Sequence, residues 1–292
     1  MMPDGQRKHL TIVGGGKVGR TLGRLFAVNG LFRIQHIKNR SLESAQDTAA
    51  FVGAGMAVSS WSDMTPSDIV MLAVPDDQIQ VSCEQLTQHG LVQADTVLFH
   101  CSGSHSSSIL AAAAREGAAT ASMHPVRSFA DPSQVAGTFA GTFCSIEGEN
   151  RALAVLGPAM SRLGARAVPI QAEAKTLYHA ASVFACNYLL TLLDLAQQAY
   201  EASGIPEKEA QGMMQSLVRE TIDNLFRMGA ERALTGPIAR GDWETVERQQ
   251  EVVNGWSTQA GKVYQAMAQA TAQLARRKGQ GSLAEKRTEN EA

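Results

Sequence analysis

The sequence has no excess of charge of either sign, since 26 basic residues stand against 28 acidic ones and the formal net charge is -2. Such a chain has no general electrostatic attraction for nucleic acid or for an anionic membrane surface. Closely spaced cysteine pairs are also missing, because Cys83, Cys101, Cys144 and Cys186 are scattered along the chain. This spacing disfavours a zinc knuckle and a disulfide framework, and it predicts reduced, buried thiols and no metal site.

Long apolar runs are absent as well. The amino-terminal segment MMPDGQRKH contains no apolar signal core, and no stretch reaches the roughly 20 consecutive apolar residues that span a bilayer. We therefore expect a cytoplasmic protein with no membrane partner. The 292 residues, 44% of them hydrophobic, are enough to bury a large core and to form two domains.

Short apolar runs alternate with helical stretches through the first half of the chain. The runs are HLTIV, LFRIQHI, DIVMLAV, TVLFHCS, ATASMH and TFCSIEG, and a further helix and closing strand are expected before residue 170. This alternation is typical of βαβ units. Residues 1–170 are therefore predicted to form an α/β domain, a doubly wound Rossmann domain.

Only helical patterns follow residue 170, so residues 171–278 are predicted to form an all-α domain. Its first helical stretch, residues 172–204, is apolar on nearly every side. Such a helix is expected to be buried on several faces, at the centre of a helical domain or of a dimer. We expect a homodimer formed through the helical domain. The final segment, 279–292, is small, polar and charged, which predicts disorder.

Three glycines separate the first strand from the first helix in the stretch LTIVGGGKVGRTLGRLF. In a dinucleotide-binding unit, Gly14 allows a tight turn, Gly16 lets the main chain approach the pyrophosphate, and Gly19 permits close packing of helix and strand. A triphosphate-binding loop is disfavoured because Lys17 precedes Val18 instead of following the last glycine. The remaining alternative is a plain glycine-rich turn. The predicted dinucleotide loop comprises Gly14, Gly15, Gly16, Lys17, Val18 and Gly19.

The end of the second strand distinguishes the two nicotinamide dinucleotides. NAD-binding domains place Asp or Glu about twenty residues after the glycine loop, where it binds the ribose hydroxyls. This chain has Lys38, Asn39, Arg40 and Ser41 at that point. Cations and hydrogen-bond donors suit a 2′-phosphate, so the sequence favours NADP over NAD. The alternative is that Lys38 and Arg40 are ordinary solvated charges.

The third apolar run ends in Val74 and Pro75, which are expected to lie along the ribose of the cofactor. The loops at the carboxyl ends of parallel strands are where an open α/β sheet binds its ligands. Asp76 and Asp77 follow in the same loop. They fit a ligand contact there, or alternatively the N-cap of the next helix.

Seven motifs occur in order along the chain: IVGGGKVG, NRS, AVPDDQI, HCSGS, MHPVRSF, YHAASVFACNYL and LTGPIARGD. Together they resemble a bacterial family of Rossmann-like proteins with a helical carboxyl-terminal domain of unassigned function. More distantly, the chain is similar to the 6-phosphogluconate-dehydrogenase-like reductases, which include pyrroline-5-carboxylate reductase, ketopantoate reductase and prephenate dehydrogenase. The resemblance implies a nicotinamide cofactor and reductase or dehydrogenase activity.

The resemblance also implies candidate site residues. In prephenate dehydrogenases, a similar His-Pro pair at a strand end supplies a histidine that faces the substrate, and His124 stands in the like position, with Ser102 or Ser104 as the accompanying serine. Hydroxyacid dehydrogenases and ketopantoate reductases carry a catalytic lysine and an asparagine on the first long helix after the Rossmann domain. Lys175 and Asn187 resemble that pair, although not at the usual four-residue spacing.

The chemistry of hydride transfer adds its own requirements. Reduction of a carbonyl or an imine needs a proton donor near the acceptor, and a histidine with a pKa near neutrality is the commonest choice. His124, Lys175 and His179, which stands four residues after Lys175, are therefore the catalytic candidates. The alternatives are a structural histidine at the strand end for His124, a hydrogen-bonded core histidine for His179 and an exposed charge at the helix start for Lys175. In LTGPIARGD, Arg240 is suited to bind a substrate carboxylate, whereas Asp242 is expected to cap the next helix.

These residues predict an NADP-dependent oxidoreductase that acts on a small, carboxylated carbonyl or imine compound, or on the corresponding alcohol or amine. Ser102, Asn187 and Arg240 are the predicted substrate-binding residues. The alternative is a sensor or interaction protein on the same fold that binds NADP without turning anything over.

Overall fold

The structure, a computed structural model, describes residues 7–290, with side chains described as far as residue 278. The chain divides into two compact units, Met1–Asn187 and Tyr188–Ala292. The first unit contains the complete sheet, which ends at Pro169, close to the predicted domain boundary at residue 170. It also includes the beginning of the long helix that follows.

Eight strands form one sheet in the first unit. They are β1 His9–Val13, β2 Arg33–Lys38, β3 Met56–Val58, β4 Ile69–Leu72, β5 Val97–His100, β6 Ala119–Pro125, β7 Phe143–Gly148 and β8 Arg166–Pro169. The strand order is β3-β2-β1-β4-β5-β6-β7-β8, and every neighbouring pair is parallel except β6 and β7. The chain runs outward in both directions from β1 and β4, which is the doubly wound topology that the sequence predicts.

Helices connect the strands on both sides of the sheet. They are α1 Lys17–Val28, α2 Leu42–Val52, α3 Ile79–Gln88, α4 Ala111–Arg115, α5 Pro132–Gly137, α6 Asn150–Arg162 and α7 Lys175–Val183. Two buried apolar clusters cover the two faces of the sheet: in β4, Ile69 and Met71 belong to one cluster, and Val70 and Leu72 belong to the other. Because both faces are buried, strands of this kind have continuous apolar sequences.

The second unit is helical throughout its described part. A π-helical turn, Phe184–Tyr188, joins α7 to the next helix. The helices that follow are α8 Leu189–Ala202, α9 Glu207–Met228, α10 Ala230–Ala233, α11 Pro237–Arg240, α12 Trp243–Trp256 and α13 Thr258–Asn290. The first of them ends at Ala202, close to the end predicted at residue 204.

The long helix from α7 to α8 differs from its prediction in its burial. Within one chain, Leu177, Phe184 and Leu190 are 78%, 67% and 63% exposed, so the expected burial at the centre of the helical domain is not found. Among the described residues, the span Ala172–Ala202 is also the one helix long and apolar enough to cross a membrane by length and composition. The core helix of a soluble protein can share this length and composition but is mostly buried, whereas the apolar window of this helix is 0% buried within one chain.

Three further features differ from the sequence analysis. Strand β3 was not predicted, because it has only three residues and one of them, Met56, is exposed. Helix α13 continues to Asn290, whereas composition predicts disorder for 279–292; this segment contains no proline, so a helix that has already begun can propagate through it. Residues 291–292 lie outside the described part. All four cysteines are free, but only Cys83 and Cys144 are buried, whereas Cys101 is half-buried and Cys186 is exposed.

Candidate cofactor and active site

A cavity of about 790 Å³ lies at the carboxyl ends of β1, β2 and β4. Eight of the predicted cofactor residues line it: Gly14, Gly15, Gly16, Asn39, Arg40, Ser41, Val74 and Pro75. The other three, Lys17, Val18 and Gly19, form the first turn of α1. The residues predicted from three separate motifs therefore meet at one cavity, at the point where the strand order reverses.

The three glycines of the GxGxxG pattern have different physical reasons to be glycine. Gly14 has a φ of +103°, and a Cβ there would lie 2.4 Å from the carbonyl oxygen of Ala73. A Cβ on Gly19 would lie 2.0 Å from the carbonyl oxygen of Gly14. A Cβ on Gly16 would meet nothing within 4 Å. Gly16 thus faces open space, which leaves room for a phosphate close to the amino terminus of α1.

Two of the side chains at the end of β2 form hydrogen bonds with other groups of the protein. The Nδ2 amide of Asn39 donates to the Ser44 carbonyl at 2.8 Å and to Thr48 Oγ1 at 3.1 Å. The Oδ1 atom of Asn39 is buried without a hydrogen-bond partner among the described atoms. Ser41 caps α2, since its Oγ accepts from the Ser44 amide at 3.2 Å. These residues shape the end of the strand.

The two cations at this point have different surroundings. The ammonium of Lys38 lies 4.7 Å from the ring centroid of Trp61 and donates to the Asn39 carbonyl at 2.9 Å. Burial lowers the pKa of Lys38. Arg40 is exposed, and its guanidinium has no hydrogen bond or ion pair within the described part of the chain. Arg40 is therefore the cation that is available to bind an anion in the cavity.

A second cavity, of about 240 Å³, shares Ala73 and Val74 with the first. Its wall also includes Val18, Asp76, Ser102, His124, Arg127 and His179. Three predicted site residues from distant parts of the sequence, Ser102, His124 and His179, are thus brought together. Lys175 is not part of this wall.

His124 lies near the end of β6 and is the centre of a group of rings. Its Nδ1 is hydrogen-bonded to the hydroxyl of Tyr178 at 2.9 Å, and its ring centroid lies 5.7 Å from that of His179. A Cβ on Gly103 would lie 2.3 Å from His179 Nδ1 and 3.0 Å from His124 Nε2. Only glycine therefore lets this loop approach both imidazoles.

The protonation of His124 differs from the expectation of a pKa near neutrality. Burial, with smaller contributions from His179 and from the charge of Lys175, lowers the pKa of His124 to about 4. The imidazole is consequently neutral at pH 7. Burial also raises the pKa of Tyr178, so the hydroxyl that contacts His124 keeps its proton at neutral pH.

Lys175 is only 1% exposed and begins α7. Its ammonium donates to the carbonyl oxygen of Ser102 at 3.0 Å and to the hydroxyl of Ser122. Burial lowers the pKa of Lys175, while the nearby charge of Glu147 opposes this change. The lysine lies behind the cavity wall, where it ties α7 to the end of β5 and to β6. Lys175 lines neither cavity, and its predicted catalytic role stays a prediction.

Asp76 does not cap a helix. Its Oδ2 accepts from the hydroxyl of Ser104 at 2.6 Å and lies 4.0 Å from His105 Nε2, and Pro75 precedes the 3-10 turn Asp76–Gln78. Burial raises the pKa of Asp76, but hydrogen bonds from Ser104 and Ser102 and the positive charge of nearby histidines lower it by more. The carboxylate is therefore charged at neutral pH.

Sequence reasoning missed three residues of this group: Tyr178, Gly103 and Arg127. Tyr178 and His179 are adjacent in the motif YHAAS, and Arg127 stands three residues after His124 in MHPVRSF. The proximity of these motifs to the predicted histidines is the signal that was available. Their contacts depend on tertiary packing and could not be read from spacing.

Asn187 and Arg240 are not placed at either cavity wall. Asn187 lies in the π-helical turn Phe184–Tyr188, so angles calculated for a regular α-helix do not carry across it. Arg240 ends α11 in the second unit, and its substrate-binding role stays a prediction, as does that of Asn187. Asp242 caps α12 as predicted, because its Oδ1 accepts from the Thr245 amide at 3.2 Å.

The strand order and the glycine turn are those of a Rossmann-type domain. Residues 4–125 match the model of a Rossmann-like domain, and residues 142–271 match the model of a domain of unknown function, DUF2520. The order of a Rossmann-like domain followed by this second domain confirms the predicted resemblance. No protein with a curated description matches the sequence.

Several solved structures share this fold. A protein from Thermotoga maritima is 28% identical, with a TM-score of 0.70, over 91% of this chain and 98% of its own. A proposed NADP oxidoreductase from Bacteroides fragilis is 19% identical, with a TM-score of 0.75 and the same coverage. An imine reductase from Myxococcus stipitatus, solved with NADP⁺, is 16% identical over 94% of each chain, with a TM-score of 0.64.

Proposed function

We propose that this protein is an NADP-dependent oxidoreductase that acts on a small, carboxylated carbonyl or imine compound, or on the corresponding alcohol or amine. The observation that carries the proposal is that the two cavities adjoin: Ala73 and Val74 line both the cavity at the glycine turn and the cavity at His124. A dinucleotide with its diphosphate at the glycine turn can therefore extend its nicotinamide toward the histidines.

The residues of the larger cavity fit such a cofactor. The open space at Gly16 and the amides of the first turn of α1 would hold the diphosphate, with the positive end of the helix dipole behind them. The unpaired guanidinium of Arg40 would bind the 2′-phosphate of NADP. When bound, the reduced nicotinamide supplies a hydride.

The residues of the smaller cavity would orient the substrate. Tyr178 keeps its proton at neutral pH and can donate to His124 Nδ1, which leaves the hydrogen of the imidazole on Nε2, beside Gly103. That N–H can donate to an acceptor atom of the substrate. Lys175 holds the Ser102 carbonyl and thereby positions the loop that contains Gly103.

The direct test combines binding with turnover. Titration calorimetry should show that NADPH binds more tightly than NADH. Absorbance of the nicotinamide, measured with panels of oxo acids, imines and hydroxy acids, should then show turnover of at least one class. Binding of NADPH without turnover of any compound would favour a sensor or interaction protein, and no binding of either dinucleotide would refute both functions.

We also propose that the protein is a cytoplasmic homodimer formed through its helical unit. Leu190, Leu217, Phe226 and Val252 are between 56% and 84% exposed in one chain, and large exposed apolar side chains of this kind mark interaction surfaces. A second copy of the same unit supplies a matching apolar surface. Light scattering at micromolar concentration should give twice the chain mass, and Phe226→Glu should give the monomer, whereas the exposed control Gln211→Glu should not.

A further inference from the structure

The smaller cavity carries two opposite charges on its wall, Arg127 and Asp76. The wall also carries two imidazoles, His124 and His179, and His124 is neutral at pH 7 because burial lowers its pKa to about 4. A cavity with one cation and one anion complements a ligand that itself carries one charge of each sign.

Arg127 presents one unused edge of its guanidinium. Nη1 donates to the carbonyl of Thr138 and to the hydroxyl of Thr142, and Nη2 donates to the hydroxyl of Thr138. These bonds use three of the five N–H groups. The remaining Nε–H and Nη2–H lie on the same edge, and two parallel N–H groups are the arrangement that binds both oxygens of a carboxylate.

No carboxylate of the described residues forms an ion pair with Arg127. Asp131, the acidic residue nearest to it in sequence, accepts instead from the amides of Ser133 and Gln134 at the start of α5. The positive charge of Arg127 is thus fixed in place by neutral partners, and its own counter-ion is left to a ligand.

Asp76 has the converse arrangement. The hydroxyl of Ser104 fixes its carboxylate at 2.6 Å, but a hydroxyl carries no compensating charge. His105 lies at the limit of an ion pair, with its Nε2 at 4.0 Å, and both side chains are nearly half exposed. A cationic nitrogen in the cavity would therefore gain a charged hydrogen-bond acceptor.

The protonation state of His124 also favours a ligand with a cationic nitrogen. Reduction of a ketone requires a hydride on carbon and a proton on oxygen, so a strong proton donor is needed. A protonated imine already carries its proton on nitrogen: the hydride adds to carbon, the C=N π electrons become the nitrogen lone pair, and a neutral amine forms. A cavity whose central imidazole is neutral at pH 7 therefore suits a protonated imine better than a ketone.

We propose that the substrate is an imino acid, whose carboxylate is bound by the free edge of Arg127 and whose cationic nitrogen faces Asp76, and that the product is the corresponding amino acid. This inference rests on the proposed function, because it names the substrate class of the same site.

Matched ligands test it without turnover. With NADPH saturating, calorimetry measures pyrrolidine-2-carboxylate against cyclopentanecarboxylate and pyrrolidine, and alanine against propanoate and ethylamine. In at least one series the zwitterion should bind at least about ten-fold more tightly than both of its singly charged analogues, which corresponds to about one charge-assisted hydrogen bond. If the zwitterion has no such advantage in either series, including the case of no binding, the inference is wrong.

Two variants assign the charges. Arg127→Met should weaken the binding of the zwitterion and of the singly charged carboxylate at least about ten-fold, and it should leave the binding of the amine unchanged. Asp76→Asn should remove the advantage of the zwitterion over the carboxylate. If the Met variant does not fold, Arg127→Lys takes its place in the test. This variant keeps the charge but not the paired N–H groups, so it should also weaken the binding of the carboxylates. Arg115→Met, at the end of α4, is the control.

The outcomes separate the two proposals. Wild-type protein that binds NADPH but does not prefer the zwitterion, or that keeps its preference in Arg127→Lys and Asp76→Asn, overturns the imino acid and leaves the oxidoreductase standing. Protein that binds no dinucleotide overturns the proposed function.

Discussion

The two cavities of the first unit are built from different materials. The larger one is formed at the ends of three neighbouring strands, and its centre is main chain: a glycine turn and the first turn of a helix. The smaller one is formed by residues from five places in the chain, from Val18 to His179, and its properties depend on burial and charge. Ligand binding in the larger cavity should therefore be lost when its space is filled, whereas the smaller cavity should be affected when its charges change.

The largest expected effect is a loss of cofactor binding in Gly16→Val. The new side chain meets no atom of the protein within 4 Å of its Cβ, so the fold should tolerate it, but it occupies the space proposed for the diphosphate. Loss of two charge-assisted hydrogen bonds, each worth about 1.5 to 3 kcal/mol, should weaken NADPH at least about 100-fold in calorimetry.

Gly137→Val is the matched control, because its Cβ also meets nothing within 4 Å and it lies at the end of α5, away from the larger cavity. Its melting temperature and NADPH affinity should equal those of the wild type. Wild-type affinity in Gly16→Val would place the diphosphate elsewhere.

The second-largest expected effect is a loss of folding stability at acidic pH. Burial lowers the pKa of His100 to about 4, and His100 shapes the loop that carries Ser102, through Nδ1, which accepts from the Ser102 amide at 3.2 Å. Since the unfolded histidine binds a proton near pH 6.5, the unfolded state is protonated first as pH falls. The contribution of His100 to the free energy of unfolding should be at its maximum above about pH 6.5. It should decrease by roughly 2 to 3 kcal/mol as the pH falls toward 4.

Urea unfolding at about pH 7.5 and about pH 4.5 measures this dependence. His100→Asn should lose less stability between these two pH values than the wild type. The control His89→Asn replaces the exposed histidine at the C-cap of α3 and should keep the wild-type dependence. Equal dependence in His100→Asn and the wild type would contradict a buried neutral His100.

A smaller effect is expected for the choice of dinucleotide. Arg40→Gln removes the unpaired guanidinium at the end of β2, so the preference for NADPH over NADH should fall about ten-fold, while the NADH affinity stays the same. Arg33→Gln, at the opposite end of the same strand, should leave both affinities unchanged. An unaltered preference in Arg40→Gln would assign the 2′-phosphate to Lys38 or to no residue of this strand.

The same contrast explains what the sequence could predict. The sheet, the helices and the glycine turn follow from local patterns, namely apolar periodicity and a fixed glycine spacing, and the structure confirms them. Strand β3 was missed because three residues carry no usable period. The hydrogen bond between Tyr178 and His124, across 54 positions, and the burial that lowers the pKa of His124 are products of tertiary packing, and no local pattern records them.

The smallest expected effect concerns the charge behind the cavity wall. Lys175 is one of three causes that lower the pKa of His124, after burial and His179. Lys175→Met keeps a similar length and volume but removes the charge, so the pKa of His124 should rise and still remain below 6.5, because burial is unchanged. Titration of the imidazole by nuclear magnetic resonance measures this change.

Lys17→Met is the control, since Lys17 lies in the first turn of α1 and is not among the charges that lower the pKa of His124. A rise only in Lys175→Met means that a buried ammonium keeps the imidazole neutral, in addition to holding the Ser102 carbonyl. An unchanged pKa in both variants means that Lys175 is itself uncharged in the folded protein. The burial that lowers its own pKa would then have outweighed the opposing charge of Glu147, and the role of Lys175 would be confined to its hydrogen bonds.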